Sequence, residues 1–427
     1  MRLLYIVHQY LPDHIGGTEL YTHWLTSEMA RRGHQVAVFH RRDGATGLEH
    51  RLEGAIDIWA INTGPFSATS RFLATFGKPS IQSAWEHVQE KFNPDLVHIQ
   101  HLMGLPVSLV RHLWQQRIPY AVTLWDYWWL CPNAQLLTNY SGEICDGPRD
   151  YRNCARCALA RAGHPRLWVA SPFLAGLMAR RNHLLQQVMG AAKVLIAPTD
   201  FVYQWYVAHG VSETKIVVIP PGLVYPAARL NMPRQPDGII RFAYIGGLAW
   251  QKGVHVLLES FAGVRGPAEL WIAGDETFDP TYTSRLHNLA SSRVRFLGRL
   301  DREQIGDLLS QIDVVTVPSL WYETFSFLIS EAFASGLPVV ASRLGPLADR
   351  VRDGIDGLLI PAGDVAAWRA AMQRLVDEPG LLARLRASVC QPMTMEEHVD
   401  RLEELYGEIF DKVPRYGIIS NAREPQN

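Results

Sequence analysis

RLLYIVHQYLPDHIGGTELYTHWLTSEMARRGHQVAVFH, residues 2–40, decides the fold class. An apolar strand, RLLYIVH, runs into a loop ending on Gly16 and Gly17; a helix from about Thr18 to Arg32 follows, Gly33 stops it, and QVAVFH is the next strand. A strand-helix-strand unit builds a parallel sheet, because parallel strands need a crossover to return the chain. The later runs DLVHIQ, YAVTLW, KVLIAP and KIVVIP alternate with helical stretches, as strands covered on both faces do.

After PPGLVYPAARLNMPRQPDG, whose five prolines read as a linker, the plan restarts. Strand RFAYIG meets Gly246 and Gly247, a helix begins near Gly253, and ELWIAGD, VRFLG, VVTVP, PVVAS and GLLIP supply a second sheet. A chain of 427 residues also exceeds what one hydrophobic core usually serves. The fold class is therefore α/β, with two doubly wound Rossmann-like domains facing across a cleft. The expected boundaries are 1–221 for the first domain, with a cysteine-rich insert at 131–157, then 222–238 for the linker and 239–392 for the second domain. The amphipathic stretch at 393–412 is expected to pack back on the first domain, and 413–427 is a tail.

Forty-one Lys plus Arg against 42 Asp plus Glu leave a formal charge of -1, so no whole-chain field attracts nucleic acid. No apolar stretch reaches the ~18 to 20 residues that span a bilayer, and MRLLYIVHQYLP lacks the features of a signal peptide, which reads as a cytoplasmic chain. Oligomeric state is not legible.

Ligands of doubly wound sheets bind beyond the carboxyl ends of the strands, where glycine loops and helix N-termini present N–H groups. YETFSFLISE, residues 322–331, falls there with Glu323 and Glu331 at its ends. On a continuous helix the two would stand about 12 Å apart along the axis and about 80° apart around it, farther than the roughly 5 to 9.5 Å of a glycosidase pair. The better reading puts Glu323 before a helix and Glu331 within it, with Thr324 or Ser326 as cap and the N–H groups of Phe325, Ser326, Phe327 and Leu328 between the carboxylates. Hydroxyls at both ends and a diphosphate between them describe a nucleotide sugar, and Lys252 in GGLAWQKG adds a cation facing the phosphates. Against this stands the ordinary reading of two surface glutamates and a surface lysine.

The pieces GGTE (16–19), APTDFV (197–202), VIPPGL (218–223), IGGLAWQKG (245–253), AGD (273–275) and ETFSFLISEAFASGLPVVAS (323–342) together resemble the family 4 glycosyltransferases, retaining enzymes of GT-B fold, over nearly the whole chain. The resemblance implies that Glu331 binds ribose, that Glu323 and the backbone of Thr324 to Leu328 hold sugar and diphosphate, and that Lys252 stabilises the leaving phosphate. Gly16, Gly17, Gly246 and Gly247 would let the loops approach the donor. It further implies a hexose moved from a UDP- or GDP-sugar to a glycan or lipid-linked hydroxyl without catalytic metal, as in surface polysaccharide or glycoconjugate synthesis. Two positions depart from the family: Gly247 stands where many members carry arginine, and Trp125 where they commonly carry histidine. Asp126 and His101, both near strand ends, are the candidates to take over at the reacting centre. Trp125, Trp128 and Trp129 read as core residues more readily than as sugar platforms.

Of five cysteines, Cys131, Cys145, Cys154 and Cys157 crowd together with gaps of thirteen, eight and two residues, while Cys390 stands alone. Four thiolates can close a structural zinc site, and C-A-R-C has a common ligand spacing; the plainer reading is a loop of reduced thiols. LWVASPFLAGLMA (167–179), followed by Arg180 and Arg181, reads as a buried helix or, less ordinarily, as a peripheral membrane contact. The loop TGPFSATSRFLATFGK is a second place to meet a lipid-linked acceptor. Two alternatives to a transferase remain at this point: a nucleotide-sugar epimerase of similar fold, and a degenerate transferase that binds nucleotide sugar without turnover.

Overall fold

The computed structural model describes residues 1–224 and 237–411; most of the expected linker and the whole expected tail lie outside the described residues. Strands β1 (Arg2–Val7), β2 (Gln35–Arg42), β3 (Gly47–Glu53), β4 (Ile56–Asn62), β5 (Leu96–Ile99), β6 (Tyr120–Thr123), β7 (Val194–Ala197) and β8 (Ile216–Val218) form one sheet, ordered β3-β4-β2-β1-β5-β6-β7-β8. Strands β9 (Ile240–Ile245), β10 (Ala268–Ala273), β11 (Val294–Gly298), β12 (Val314–Val317), β13 (Val339–Ser342) and β14 (Gly357–Ile360) form the other, ordered β11-β10-β9-β12-β13-β14.

Successive side chains of a strand point to opposite faces, so a strand with helices on both sides must be apolar throughout. In β1, Leu4 and Ile6 enter one core while Leu3, Tyr5 and Val7 enter the other. In the second sheet Phe242 and Tyr244 face one core and Ala243 the other. The exception is the β3–β4 pair, which is antiparallel. Its edge strand GLEHRLE is mostly polar and its turn contains Gly54 at φ 61°, so it offers no apolar run to read as a strand.

Helix Met395–Asp411 returns to the first domain. Met395, Val399, Leu402, Tyr406 and Ile409, spaced as one helical face, join the core that holds Leu3, Tyr5 and Val7. Polar contacts fix its register: Tyr406 OH lies 2.6 Å from His98 Nδ1, Tyr21 OH lies 2.6 Å from His398 Nε2, and Arg32 bonds Asp400 at 2.6 Å and Glu403 at 2.7 Å.

Segment 167–179 is not the buried helix that its composition favours. Leu167, Trp168, Val169 and Phe173 are 52%, 56%, 63% and 87% exposed, and helix Ser171–Ala191 buries its larger apolar side chains from Met178 onward, with Leu185, Val188 and Met189 inward. Arg181 is buried against the first domain, its guanidinium donating to the Trp128 carbonyl at 2.5 Å and lying over the Trp128 ring. No described helix is long and apolar enough to cross a membrane.

Strand order reverses between β1 and β5 in the first sheet and between β9 and β12 in the second. The loops leaving these four strands therefore open two crevices, the expected seats of ligands. The domains meet beside them: Thr324 Oγ1 donates to the Trp125 carbonyl at 2.7 Å, and Phe201 N donates to the Asp349 carboxylate at 2.7 Å.

Candidate functional site

Lys252 and Glu323 come from the two loops of the second sheet's crevice. Those loops touch through their backbones: Leu320 N donates to Gln251 O at 2.8 Å, and a Cβ on Gly253, at φ 73°, would lie 1.9 Å from the Pro318 carbonyl oxygen. Only glycine fits there, and it brings the lysine to the carboxylate. Glu323 Oε1 receives Lys252 Nζ at 2.7 Å, Ser319 Oγ at 2.7 Å and Trp321 Nε1 at 3.2 Å. All three donors converge on Oε1. Burial works to raise the Glu323 pKa, but the Lys252 charge and the three hydrogen bonds outweigh it and hold the group below the usual carboxylate range.

Helix Phe327–Ala334 begins after Ser326, which sits at φ 61°, and has no side-chain cap. The cap expected from Thr324 or Ser326 does not form, because the Thr324 hydroxyl is committed to Trp125 and Ser326 adopts a left-handed conformation. Phe325 is buried beneath the Arg350 guanidinium, 3.7 Å above its ring. Phe327 and Leu328 open the first turn, and the positive end of the helix dipole falls between the two glutamates. Glu331, further along, is paired with Arg302, which also lies over the Trp24 ring. Burial outweighs that cation and raises the Glu331 pKa.

The glycines divide. A Cβ on Gly17 would come 3.1 Å from the Phe327 ring, so the first domain's loop does approach the helix start closely; one on Gly16 would meet the Glu19 carboxylate at 2.4 Å. Gly246 adopts φ 154°, and the Gly247 carbonyl accepts from Tyr244 OH at 2.7 Å. A Cβ on Gly247 would meet nothing within 4 Å, so packing does not require glycine at that position.

On the first domain, Met103 N donates to His101 Nδ1 at 3.0 Å, which places the imidazole proton on Nε2 and makes Nε2 the donor to Asp126 Oδ2, also at 3.0 Å. Asp126 Oδ1 accepts from Trp128 N at 2.8 Å. The two predicted residues thus form one pair, His101 buried and Asp126 partly open. Two further groups were missed: His8, whose ring stands 4.5 Å from that of His101, and Glu19, 3.7 Å from His8. His8 directly follows β1 and Glu19 ends the quoted GGTE, so the strand-end rule could have found both. Burial, then the neighbouring His101 and Arg71, lowers the His8 pKa well below its ordinary value, and burial raises that of Glu19.

Trp125 is a core residue. Its indole N donates to Gln100 Oε1 at 2.7 Å, and its ring packs on Tyr21 and Phe327. Trp128 and Trp129 are likewise buried.

The four clustered cysteines line one cavity with Met103 and Trp128. Among the described residues, no group of three or more His, Cys, Asp or Glu is placed to hold a metal ion. Cys157 Sγ accepts from Asn139 N at 3.3 Å, and Cys145 Sγ donates to Gly147 O at 3.4 Å. Burial, reinforced by the neighbouring thiols, pushes Cys154 up to about 12 and Cys157 up to about 11, which keeps both protonated at neutral pH. The same insert reaches the Lys252 loop, since a Cβ on Gly142 would touch the Trp250 ring at 3.4 Å.

Two family models match this chain: Glycosyltransferase Family 4 over residues 15–224 and Glycosyl transferases group 1 over residues 240–378. The chain is 25% identical over 410 residues to a glycogen synthase of Mycobacterium tuberculosis (93% of this chain, 91% of that one). It is 30% identical over 235 residues to a D-inositol 3-phosphate glycosyltransferase of Mycolicibacterium smegmatis (52% and 54%). Among solved structures, a sucrose-phosphate synthase from Thermosynechococcus elongatus superposes with a TM-score of 0.71 at 20% identity, covering 96% of this chain and 99% of that one. HepE of Anabaena, solved with UDP and glucose, superposes with a TM-score of 0.66 at 18% identity, covering 95% and 99%.

Proposed function

We propose, from the premise that the chain belongs to the GT-B glycosyltransferases with a family 4 amino-terminal and a group 1 carboxyl-terminal domain, that it moves a hexose with retention from a nucleotide diphosphate sugar to an acceptor hydroxyl. The observation that carries this reading is the Lys252–Glu323 pair across the second crevice, with a helix N-terminus between Glu323 and Glu331. HepE, of the same fold, is solved with UDP and glucose, which favours a UDP-sugar as the first donor to try.

In this scheme Glu331 takes the ribose hydroxyls, the first-turn N–H groups and Lys252 take the diphosphate, and Glu323 Oε2 takes a sugar hydroxyl. When the sugar–phosphate bond breaks, its electron pair leaves with the diphosphate and positive charge builds on the sugar. Lys252 and the N–H groups stand where the negative charge develops and require no reorganisation there. The acceptor hydroxyl attacks from the leaving-group side, and its proton passes to the departing phosphate. Asp126, positioned by His101 Nε2–H, orients that hydroxyl. Surface polysaccharide or glycoconjugate assembly is the setting such a reaction fits.

Trp125 keeps a second reading in view, since an indole tied to Gln100 cannot offer the ring nitrogen that a histidine would. Incubation with UDP-, GDP- and ADP-sugars separates the two. Release of nucleoside diphosphate supports the transferase, whereas thermal stabilisation without turnover supports a nucleotide-sugar-binding protein and refutes the reaction proposed here.

A further inference from the structure

The cavity that holds the four thiols has a volume of about 320 Å³, at the small end of ligand pockets. Its wall is mostly apolar: Phe72, Leu137, Leu174, Leu177 and Met178 share it with the four cysteines. It opens beside an unusual rim. Leu73, itself part of the wall, is 50% exposed; Trp168 and Val169 stand exposed on the segment leading into the helix that supplies Leu174 and Leu177, and Phe173 is exposed in the first turn of that helix. Exposed aromatic and aliphatic side chains in one neighbourhood mark a contact surface.

The cavity also has a cationic neck. Arg71 and Arg161 line it, and Arg41 lies close enough to Arg71 to act on its charge, with Asp43 the acidic neighbour. Asp43 is bonded to Arg41, and Arg161 donates to Asn133 Oδ1 at 2.6 Å. Among the described residues, Arg71 has a 3.4 Å contact to the Phe66 carbonyl, and its buried Nε has no hydrogen-bond partner. An anion in the cavity would give the terminal guanidinium nitrogens of Arg71 a charge-assisted partner. From there the wall passes through Met103 and Trp128, the residues whose backbone N–H groups hold His101 and Asp126.

Apolar side chains, two arginines and two residues whose backbones hold His101 and Asp126 thus meet in one cavity wall. We propose that this cavity seats the lipid of a lipid-linked acceptor, with Arg71 and Arg161 at the neck binding the phosphate that joins the lipid to the sugar-accepting end. The proposal rests on the transferase reading for the meaning of "acceptor", and it gives the cysteine insert a task that zinc does not explain. The exposed rim is the path by which a lipid leaves a bilayer for the slot.

Full-length protein is titrated, by calorimetry, with dodecyl phosphate below its micellar concentration, with dodecyl maltoside as a neutral-headed amphiphile, and with inorganic phosphate; UDP is titrated in parallel. Dodecyl phosphate should bind at least about tenfold more tightly than either comparison ligand. Arg71→Gln should remove that preference and Arg71→Lys should restore part of it. Ala158→Leu, which fills the cavity from the wall, should abolish dodecyl phosphate binding while UDP binding persists. Equal binding of the neutral amphiphile, or dodecyl phosphate binding indifferent to both Arg71→Gln and Ala158→Leu, overturns the assignment. If the wild type binds dodecyl phosphate in this pattern but no nucleotide with turnover, the slot stands and the transferase reading falls; the reverse pattern removes the slot and leaves the transferase.

Discussion

Lys252→Met tests the donor clamp from two directions at once. At 2.7 Å and an effective dielectric near 20, the pair attracts by about 6 kcal/mol before any cost is counted. Desolvation and the ordering of a lysine side chain that remains 29% exposed offset most of this, leaving about 1–2 kcal/mol of net stability. Catalysis should suffer more, because a preorganised charge facing a leaving group is worth about 10²–10³ in kcat. The pH dependence supplies the diagnostic. In the wild type the depressed Glu323 pKa contributes stability that is present above the unfolded value and lost only as pH falls through the lower folded value. Without Lys252, burial is opposed only by Ser319 and Trp321, so the pKa rises and the acid limb of kcat/KM moves to higher pH. The assay is nucleoside diphosphate release across pH 4–8, with urea unfolding at each end. A variant within about threefold of wild-type kcat/KM, with the acid limb unmoved, would refute the reasoning.

Three other outcomes are expected. Glu331 has a raised pKa, so its ionised form costs stability, a cost present above the folded pKa and absent below the unfolded one; Glu331→Gln should therefore melt no lower than wild type, yet bind UDP about 10–100-fold more weakly by calorimetry, through loss of charged hydrogen bonds to ribose. Lower stability with unchanged UDP affinity would contradict it. Trp125→His empties a buried site and leaves Gln100 Oε1 without its donor, so urea unfolding should show a loss of about 2–3 kcal/mol and turnover should not rise; an equally stable, more active variant would be contrary. Freshly purified protein should contain less than about half an equivalent of zinc, and chelation should leave its melting temperature unchanged; a stoichiometric metal lost together with stability would mean that the thiols rearrange around it.

Much of the fold was legible because its strands are buried on both faces and read as unbroken apolar runs between glycine loops. The β3–β4 hairpin was not, because an edge strand of Glu49, His50, Arg51 and Glu53 carries no burial signal. At the candidate site, Lys252, Glu323 and Glu331 were singled out by chemistry and spacing, and the structure brings Lys252 to Glu323. The helix cap was misread because Thr324 is drawn across the cleft to Trp125, a tertiary contact invisible in local sequence. Segment 167–179, expected to be a buried helix, exposes Leu167, Trp168, Val169 and Phe173, since composition reports apolarity and says nothing of which face a neighbour covers. Arg71 escaped notice for a similar reason: one arginine, which the structure places in helix Ala68–Ala74, has no signature until Arg41 and Arg161 are brought beside it.

The central claim is that Lys252, Glu323 and Glu331 form a working donor clamp. Its most direct test is nucleoside diphosphate release from a panel of UDP-, GDP- and ADP-sugars, by wild type and by Lys252→Met and Glu331→Gln. The account predicts that one donor is consumed by the wild type and that its turnover falls at least about 100-fold in Lys252→Met. No turnover of any donor by the wild type, or turnover that both variants retain, would contradict it.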